Sequence, residues 1–128
     1  MKILIADDDR MLVELLSTRL RAKGEEVSVA FDSTQALMGA MRLKPDVILL
    51  DIKMPGGTGL DTLKKLKANT RTAMVPVVVM SALSDPQVPQ TVMDLGAAEF
   101  LPKPVQFETV YQTLRRVTGK TTEKQPPA

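Results

Sequence analysis

The sequence predicts an α/β protein whose central parallel sheet has helices on both faces. Short runs of Val, Ile, Leu and Met alternate along the 128 residues with longer stretches of helical periodicity, which is the pattern of repeated strand-helix-strand units. Apolar runs without polar alternation are typical of parallel strands that are buried on both faces. A chain of this length forms a single domain with a core of its own, and five strands fit it.

The first half of the chain contains three of these strands and two of the helices. Lys2–Ala6 is the first strand, and a helix follows from about Arg10 to Lys23. Glu26–Ala30 is more polar, as expected for a strand at the edge of a sheet. Ser33 can cap the second helix, and Asp46–Leu50 predicts a central strand.

The second half of the chain predicts two more strands and three helices. Pro76–Met80 is the fourth strand and Ala98–Leu101 the fifth. The segment Ser84–Gln90 contains two prolines, and a proline beyond the first helical turn removes a backbone hydrogen bond. The fourth helix should therefore start late and be short. In the third helix we expect three leucines to face the core and three lysines to face water: Leu60, Leu63 and Leu66, with Lys64, Lys65 and Lys67.

The last helix, about Gln106–Val117, has the clearest apolar stripe of the chain. We expect this stripe to pack on the sheet, which leaves no second stripe for a permanent partner. Beyond the helix, Gly119–Ala128 is polar and contains two prolines. We therefore expect a domain over residues 1–118 and a flexible tail or linker over residues 119–128. The stripe consists of Phe107, Val110, Tyr111, Leu114 and Val117.

Polar residues follow four of the predicted strands at the point where each strand ends. Ligands of an open α/β sheet bind outside the carboxyl ends of its strands, so these residues should share one crevice. Most of them are acidic, so the crevice should carry excess negative charge. They are Asp7, Asp8 and Asp9 after the first strand, Asp51 after the third, Ser81 after the fourth and Lys103 after the fifth.

The side chains available in this crevice restrict its chemistry. The chain contains no His and no Cys, which excludes a thiolate or imidazole site. Clustered carboxylates repel one another, and a divalent cation relieves that repulsion. Oxygen ligands favour Mg²⁺, with Mn²⁺ or Ca²⁺ as alternatives. A carboxylate nucleophile, a hard cation, a hydroxyl and an ammonium suit phosphoryl transfer.

Composition argues against several other classes. The formal net charge is +2, without a dense Lys/Arg stripe interleaved with aromatic residues, so we expect no direct nucleic-acid binding. No apolar run approaches the roughly 20 residues of a membrane span, and the N-terminus enters a strand without a signal-peptide pattern. The absence of Cys fits a reducing compartment. We expect a cytoplasmic protein that does not contact membranes.

Four motifs occur in order along the chain. They are Asp7-Asp8, Leu50 to Gly56 (LDIKMPG), Ser81-Ala82 with Gly96-Ala97, and Phe100 to Pro104 (FLPKP). Together they resemble the receiver domains of bacterial two-component response regulators. The resemblance covers about residues 1–118 and implies a flavodoxin-like sheet of strand order 2-1-3-4-5 with five helices. It also implies phosphorylation on an aspartate by a sensor histidine kinase or a histidine phosphotransfer protein.

The resemblance assigns roles to the acidic residues. Asp51 is similar to the phosphoacceptor, and it would also ligate Mg²⁺. Asp8 would be a direct Mg²⁺ ligand, Asp7 would hold water on the metal, and the backbone carbonyl of Lys53 would be a further ligand. Asp9 instead stands where a helix N-cap belongs, and a carboxylate there satisfies free backbone donors.

The resemblance also assigns roles around the phosphoryl group. Ser81 and Lys103 would contact the phosphoryl oxygens, and Lys103 would pair with Asp51 in the resting state. Ala82 is small enough to leave an access path. Ser81 and Phe100 would form the switch that reshapes the face of helix four, strand five and helix five. The peptide bond between Lys103 and Pro104 would be cis.

Expectations about partners follow from the same resemblance. Such a domain is a phosphoacceptor for signalling rather than an enzyme, with at most autophosphorylation from small donors and slow autodephosphorylation. It would act on a downstream output domain or protein, as a monomer or a weak dimer. The position after the final proline of the FLPKP motif, usually aromatic in the family, is Val105.

Three other classes are alternatives. A flavin-binding flavodoxin would need phosphate donors after strand one, where Asp7, Asp8 and Asp9 repel phosphate. A phosphatase of the dehalogenase type would need an acid two residues beyond Asp51, where Lys53 stands. A pseudo-receiver that works without phosphate would lack an acid, the serine or the lysine, and none is missing.

Overall fold

Strands and helices alternate along the whole of the folded chain. A computed structural model describes residues 1–53, 59–82 and 85–120. Its strands are β1 Lys2–Ala6, β2 Glu26–Ala30, β3 Val47–Asp51, β4 Val77–Ala82 and β5 Glu99–Lys103. Its helices are α1 Arg10–Ala22, α2 Ser33–Leu43, α3 Gly59–Ala68, α4 Val88–Asp94 and α5 Phe107–Val117. The predicted α/β class is confirmed.

The five strands form one parallel sheet in the order β2-β1-β3-β4-β5. This is the expected 2-1-3-4-5 topology. In the register of the sheet, Asp51 lies beside Met80, and Lys103 lies beside Ala82. The carboxyl ends of the strands therefore meet along one edge, which we call the carboxyl edge.

Helices cover both faces of the sheet. Alternate side chains of each strand point to opposite faces, so Ile3 and Ile5 pack with α1 and α5, whereas Leu4 and Ala6 pack with α2, α3 and α4. The apolar stripe of α5 packs on the sheet as predicted. Four of its residues are buried, and Val117 is half-buried against the same core.

Helix starts follow the sequence prediction in one case and depart from it in another. Asp9 caps α1 as predicted, because the Leu12 N–H donates a hydrogen bond of 3.1 Å to Asp9 Oδ1. The prediction of Ser33 as a cap was wrong. The cap of α2 is Asp32, while Ser33 is the first residue of the helix and is buried against α3. Its hydroxyl oxygen accepts a hydrogen bond of 3.0 Å from the Thr62 hydroxyl.

Three strands lie one or more residues further along the chain than predicted. Asp46 precedes β3, and its carboxylate accepts a hydrogen bond of 2.7 Å from the Lys2 N–H. The ladder between β4 and β5 continues to the pair Ala82 and Lys103. Asp51 and Lys103 are consequently the last residues of their strands, and Ser81 lies inside β4.

The region of α4 confirms the effect expected from its prolines. The helix has seven residues and begins at Val88, and Gln87 offers no side-chain cap.

The last helix, α5, ends at Val117. Residues 121–128, most of the predicted tail, lie outside the described part of the chain.

Lys67 does not face water as predicted. Its ammonium donates hydrogen bonds to the carbonyl oxygens of Ala73 and Val75, at 3.1 and 2.9 Å. Burial lowers the pKa of Lys67. The chain after α3 folds back over this side chain, and a long methylene stem can be covered while its charge is still solvated by carbonyls.

A second cluster of charge lies at the opposite edge of the sheet. Glu25 accepts hydrogen bonds from the Met1 ammonium at 2.6 Å and from the Tyr111 hydroxyl at 2.7 Å. Burial alone would raise the pKa of Glu25, but these two hydrogen bonds outweigh it and lower the pKa. We call this group the Glu25 cluster.

The strand β2 has a free edge, because it pairs only with β1. The Glu26 N–H and the Ala30 carbonyl bond to the β1 side, so the N–H and carbonyl of Val27 point to the free edge of the strand. The Arg21 guanidinium donates a hydrogen bond of 3.0 Å to the Val27 carbonyl oxygen.

Among the described residues, no helix has the length and apolar character needed to cross a membrane.

Candidate functional site

The carboxyl edge brings the predicted polar residues together. Asp7 and Asp8 follow β1 directly, while Asp51 ends β3 and Lys103 ends β5. β1 and β3 are neighbours in the sheet, so the three carboxylates converge. One oxygen atom from each of Asp7, Asp8 and Asp51 lies within 4.8 Å of the others.

Lys103 bridges the two buried acids. Its ammonium nitrogen lies 3.0 Å from Asp51 Oδ2, to which it donates a hydrogen bond, and 2.8 Å from Asp7 Oδ2 in an ion pair. Asp7 is fully buried and Asp51 nearly so. The prediction from sequence paired Lys103 with Asp51 alone, and the structure adds Asp7 as an equally close partner.

The backbone fixes the orientation of both buried carboxylates. The Asp9 N–H donates a hydrogen bond of 2.9 Å to Asp7 Oδ1, and the Lys53 N–H donates one of 2.9 Å to Asp51 Oδ1. Each is a local turn in which an Asp side chain accepts from the backbone two residues later. Each carboxylate therefore has one oxygen held by its own loop and one that faces Lys103.

The charges in the crevice do not balance. Burial raises the pKa of Asp7, and the nearby Asp51 carboxylate adds to this, although Lys103 and the Asp9 N–H act in the opposite direction. Burial alone would lower the pKa of Lys103, but its contacts with Asp7 and Asp51 outweigh burial and raise it. Lys103 therefore stays positively charged beside Asp7 and Asp51, and burial makes the ionisation of Asp7 costly.

The donor set of the crevice fits a hard divalent cation. It consists of carboxylate oxygens with a net negative charge, which favours Mg²⁺ over metals that prefer nitrogen or sulfur. Asp8 is the exposed member, while Asp7 and Asp51 form the buried wall. The Lys53 backbone is held beside Asp51 by its N–H, and ligation by its carbonyl stays a prediction.

Ser81 has a buried hydroxyl without a partner. The residue is 1% exposed, and its Oγ makes no hydrogen bond to any described part of the chain. A buried hydroxyl that makes no hydrogen bond costs about 1–3 kcal/mol. An oxygen-rich ligand in the crevice would supply the missing acceptor, so the orphaned hydroxyl fits a phosphoryl group.

The rim beside Lys103 is open. Ala82 is exposed and lines a surface cleft of about 430 Å³ together with Lys103 and residues of α1 and the loop after β5. The peptide bond between Lys103 and Pro104 is cis. The other lining residues are Asp9, Leu12, Pro104 and Val105.

Phe100 lies apart from the charged residues. It is half-buried in β5 beside Val79, and it packs against the core under α2, α3 and α4. Phe100 thus lies in β5, one of the three elements of the predicted switch surface, and the switching role stays a prediction. The Glu25 cluster was not foreseen, because Glu25 and Tyr111 are 86 residues apart and neither belongs to a motif.

Comparison with known proteins decides the family. A sequence model of the response regulator receiver domain matches residues 3–115. The chain belongs to the receiver domain family of response regulators. It is therefore a signalling domain of two-component systems, in a family whose members bind Mg²⁺ at an acidic pocket and interact with histidine kinases and output domains.

Curated relatives share this receiver region and are longer. The response regulator PleD of Caulobacter vibrioides is 38% identical over 117 residues, which are 91% of this chain and 26% of PleD. The DNA-binding response regulator MtrA of Mycobacterium tuberculosis is 37% identical over 103 residues, which are 80% of this chain and 44% of MtrA. The chain thus spans about a quarter to a half of these relatives.

Solved receivers have the same fold. The chemotaxis response regulator CheY4 of Vibrio cholerae has a TM-score of 0.84 at 32% identity, covering 91% of this chain and 97% of that one. The receiver domain of the Francisella response regulator 1452 has a TM-score of 0.85 at 28% identity, covering 93% and 97%. The flavodoxin-like architecture is confirmed.

Proposed function

We propose that this receiver accepts a phosphoryl group on Asp51 from the phosphohistidine of a sensor kinase or phosphotransfer protein in the cytoplasm. The observation that carries the proposal is the position of the Asp51 carboxylate. It is buried at the carboxyl edge, held on one oxygen by the Lys53 N–H and on the other by the Lys103 ammonium.

The transfer exchanges one bond for another. An oxygen of Asp51 attacks phosphorus, the phosphorus–nitrogen bond of the phosphohistidine breaks with its electron pair on nitrogen, and a proton on the other ring nitrogen makes the leaving group neutral imidazole. Lys103 can follow the developing charge, because its ammonium already lies within reach of both Asp51 and Asp7. The unpartnered Ser81 hydroxyl can donate to a phosphoryl oxygen, and exposed Ala82 leaves room for the donor.

Mg²⁺ would be held by Asp8, Asp51 and the Lys53 carbonyl, with Asp7 beside it. When bound, it would supply positive charge that offsets the carboxylates and the phosphoryl oxygens. Without it, the ion pairs of Lys103 with Asp7 and Asp51 are the ones that the described residues show in the crevice, so a phosphoryl group would add negative charge beside clustered carboxylates. We therefore expect phosphorylation to require a divalent cation.

The surface beside the crevice suits the phosphodonor. Met11 is 85% exposed, and Leu15 is exposed one turn further along α1. The cleft that contains Leu12, Ala82 and Val105 adjoins them. An approaching phosphohistidine helix would cover these apolar groups while its imidazole reaches Asp51.

Signalling would pass through the face of α4, β5 and α5. Ser81 would move to the phosphoryl group, and the Phe100 ring would turn into the space beside Val79, which shifts the population between two packings. The short α4, which lacks a side-chain cap, supports a mobile element here. The output would be a downstream domain or protein reached by a monomer or weak dimer, without direct contact to nucleic acid or membrane.

The competing function is a pseudo-receiver that acts without phosphate. That function requires no buried acceptor carboxylate, no ammonium beside it and no orphaned hydroxyl. All three occur together here, in Asp51, Lys103 and Ser81. The phosphoacceptor is therefore the better account.

Mass spectrometry tests the assignment of Asp51. After incubation with Mg²⁺ and acetyl phosphate, the wild-type chain should gain one phosphoryl group that is stable to acid and labile to base, and Asp51→Asn should gain none. Asp9→Asn is the matched control and should be labelled normally, because Asp9 caps α1. Label at the wild-type level in Asp51→Asn would disprove the assignment.

Amide exchange tests the switch. A beryllofluoride mimic should change the exchange of residues 85–107 in wild type, and this response should be lost in Ser81→Ala because the phosphoryl group loses its hydroxyl contact. Thr113→Ala, a buried hydroxyl loss on α5, serves as control. Equal responses in wild type and Ser81→Ala would refute the coupling.

A further inference from the structure

Two segments of the chain, residues 33–44 and 62–76, contain basic residues and no acidic ones. Together they hold six of the 17 Lys and Arg residues and none of the 15 Asp and Glu residues, so the rest of the chain carries a net charge of −4. The phosphoacceptor site does not require these cations, because its own charged residues lie at the carboxyl edge. The cations are Arg42, Lys44, Lys64, Lys65, Lys67 and Arg71.

The two segments meet on one surface, away from the crevice. α2 and α3 both return the chain from the carboxyl edge, so their C-terminal halves lie toward the opposite edge of the sheet. A groove of about 380 Å³ runs between these halves. We call it the α2–α3 groove, and six of its lining residues are Leu37, Met41, Lys65, Leu66, Ala68 and Asn69.

Two exposed methionines lie next to groove residues in the sequence. Met38 follows the groove residue Leu37 in α2 and is 54% exposed, and Met74 lies two residues after the groove residue Thr72 and is 91% exposed. Methionine is flexible and polarisable, which makes it common at surfaces that adapt to a partner. Exposed apolar groups beside an apolar groove indicate a binding surface.

Lys65 lines the groove, and the other cations of the two segments lie close in sequence to its lining residues. Within the described part of the chain, Arg42, Lys44, Lys64, Lys65 and Arg71 form no ion pair. Lys67 has a different role. By binding the carbonyls of Ala73 and Val75, it fixes the loop that presents Met74.

We infer that the α2–α3 groove is a docking site for an acidic amphipathic helix of a partner protein. Apolar side chains of that helix enter the groove between Leu37, Met41 and Leu66, and its acidic residues pair with the surrounding cations. Helix-in-groove binding uses this combination of an apolar floor with a charged rim. The site does not involve Asp51 and is independent of phosphorylation.

Nucleic acid fits the groove less well. Neither segment contains an aromatic residue on which bases could stack. An acidic helix can keep its carboxylates on the outer cations while its apolar side chains fill the floor.

Methionine methyl NMR on the 128-residue chain tests the inference, because methionines mark several faces of the molecule. The probe is a designed helical peptide of about 18 residues with a leucine stripe and glutamates on the flanks. Its counterpart has lysine in place of each glutamate. The acidic peptide should shift the methyl signals of Met38, Met41 and Met74, and leave those of Met11 on α1 and Met93 on α4 unchanged.

Charge reversal at the groove provides the matched variants. Arg42→Glu with Lys65→Glu should weaken binding of the acidic peptide at least tenfold, and Met38→Ser should weaken it severalfold. Lys120→Glu, an exposed reversal after α5, should leave the affinity unchanged. Affinity should fall as NaCl rises from about 50 to about 500 mM, since the contacts on the rim are exposed.

Several outcomes would overturn the inference. They are shifts confined to Met11 or Met93, equal binding of the lysine peptide, equal weakening by Lys120→Glu, or the same methyl shifts on addition of a DNA duplex. Shifts at Met38 and Met74 that grow with protein concentration alone would instead identify a second copy as the occupant. Asp51→Asn should bind the acidic peptide as wild type does, so failure here is separable from failure of the proposed phosphotransfer.

Discussion

The two edges of the sheet differ in how many hydrogen-bond donors and cations accompany their buried carboxylates. At the opposite edge, the Glu25 carboxylate has an ammonium and a hydroxyl as donors, and its pKa is lowered. At the carboxyl edge, two buried carboxylates share one ammonium, and burial raises the pKa of Asp7. The same types of side chain therefore stabilise the fold in the Glu25 cluster, whereas at the carboxyl edge their carboxylates repel one another.

The difference separates a structural cluster from a functional one. A carboxylate with enough hydrogen-bond donors has no need of a ligand. The Glu25 cluster therefore has a structural role, which is to link the start of β2 to α5. A carboxylate group with too few donors favours whatever brings positive charge. The imbalance around Asp7 and Asp51 is thus the property that makes the carboxyl edge a site.

The largest expected effect comes from removing the ammonium that bridges Asp7 and Asp51. Lys103→Ala should lower the free energy of unfolding at pH 7 by about 3 kcal/mol, because it leaves two buried carboxylates unpaired. The loss should shrink as pH falls and the carboxylates become protonated. Urea denaturation in EDTA measures it, with exposed Lys64→Ala as control. A loss no larger than that of the control would mean that the crevice is already balanced.

The next effect concerns the exposed acid. Asp8→Asn should weaken Mg²⁺ binding at least tenfold, measured as the rise of Tm with Mg²⁺ concentration, because a direct ligand is lost. Asp9→Asn should bind Mg²⁺ as wild type does. Without metal, Asp8→Asn should melt at or above the wild-type temperature, since one like charge is gone. An unchanged Mg²⁺ response would rule out ligation by Asp8.

Neutralising one acid at each edge should have effects of opposite sign. At pH 7 without metal, Asp7→Asn should raise the free energy of unfolding by about 1 kcal/mol, because the ionised form of a group with raised pKa destabilises the folded state. Glu25→Gln should lower it by about 1 kcal/mol, because its ionised form is the one that the fold favours. Chemical denaturation of both variants checks this pair. Changes of the same sign would remove the contrast between the edges.

The same contrast should appear in pH dependence. The cost of ionising Asp7 is absent below its ordinary pKa of 3.8 and grows as pH rises through its raised folded value. The contribution of Glu25 is complete above its ordinary pKa of 4.5 and is lost as pH falls through its lowered folded value. The advantage of Asp7→Asn and the deficit of Glu25→Gln should therefore both approach zero toward acid pH. A pH series of urea melts measures both, and a deficit of Glu25→Gln that does not shrink as pH falls below the ordinary pKa of 4.5 would contradict the assignment.

Local signals predicted most of the fold. The apolar runs found all five strands, because strands buried on both faces have little polar interruption. Asp9 was found as a cap because capping joins residues only three positions apart in the sequence. Asp51 and Lys103 were found as neighbours because parallel strands end at a common edge.

Features that depend on contacts between distant segments were not predicted. Ser33 was preferred as a cap because nothing in the local sequence shows that α3 would cover its hydroxyl. Lys67 was placed in water because helical periodicity does not show how the following loop folds back. The pairing of Asp7 with Lys103 joins residues 96 positions apart in the sequence, and only the assembled sheet brings them together.

The hydrogen bond from Arg21 to the Val27 carbonyl has a consequence for behaviour at high concentration. An edge strand with free carbonyls is a template for pairing with another chain, which leads to aggregation. The guanidinium occupies one of these acceptors and places a positive charge at the edge, beside exposed Val29. Two such edges that approach each other meet like charge before they can pair. The arginine thus protects the chain against edge-to-edge assembly without taking part in either the crevice or the core.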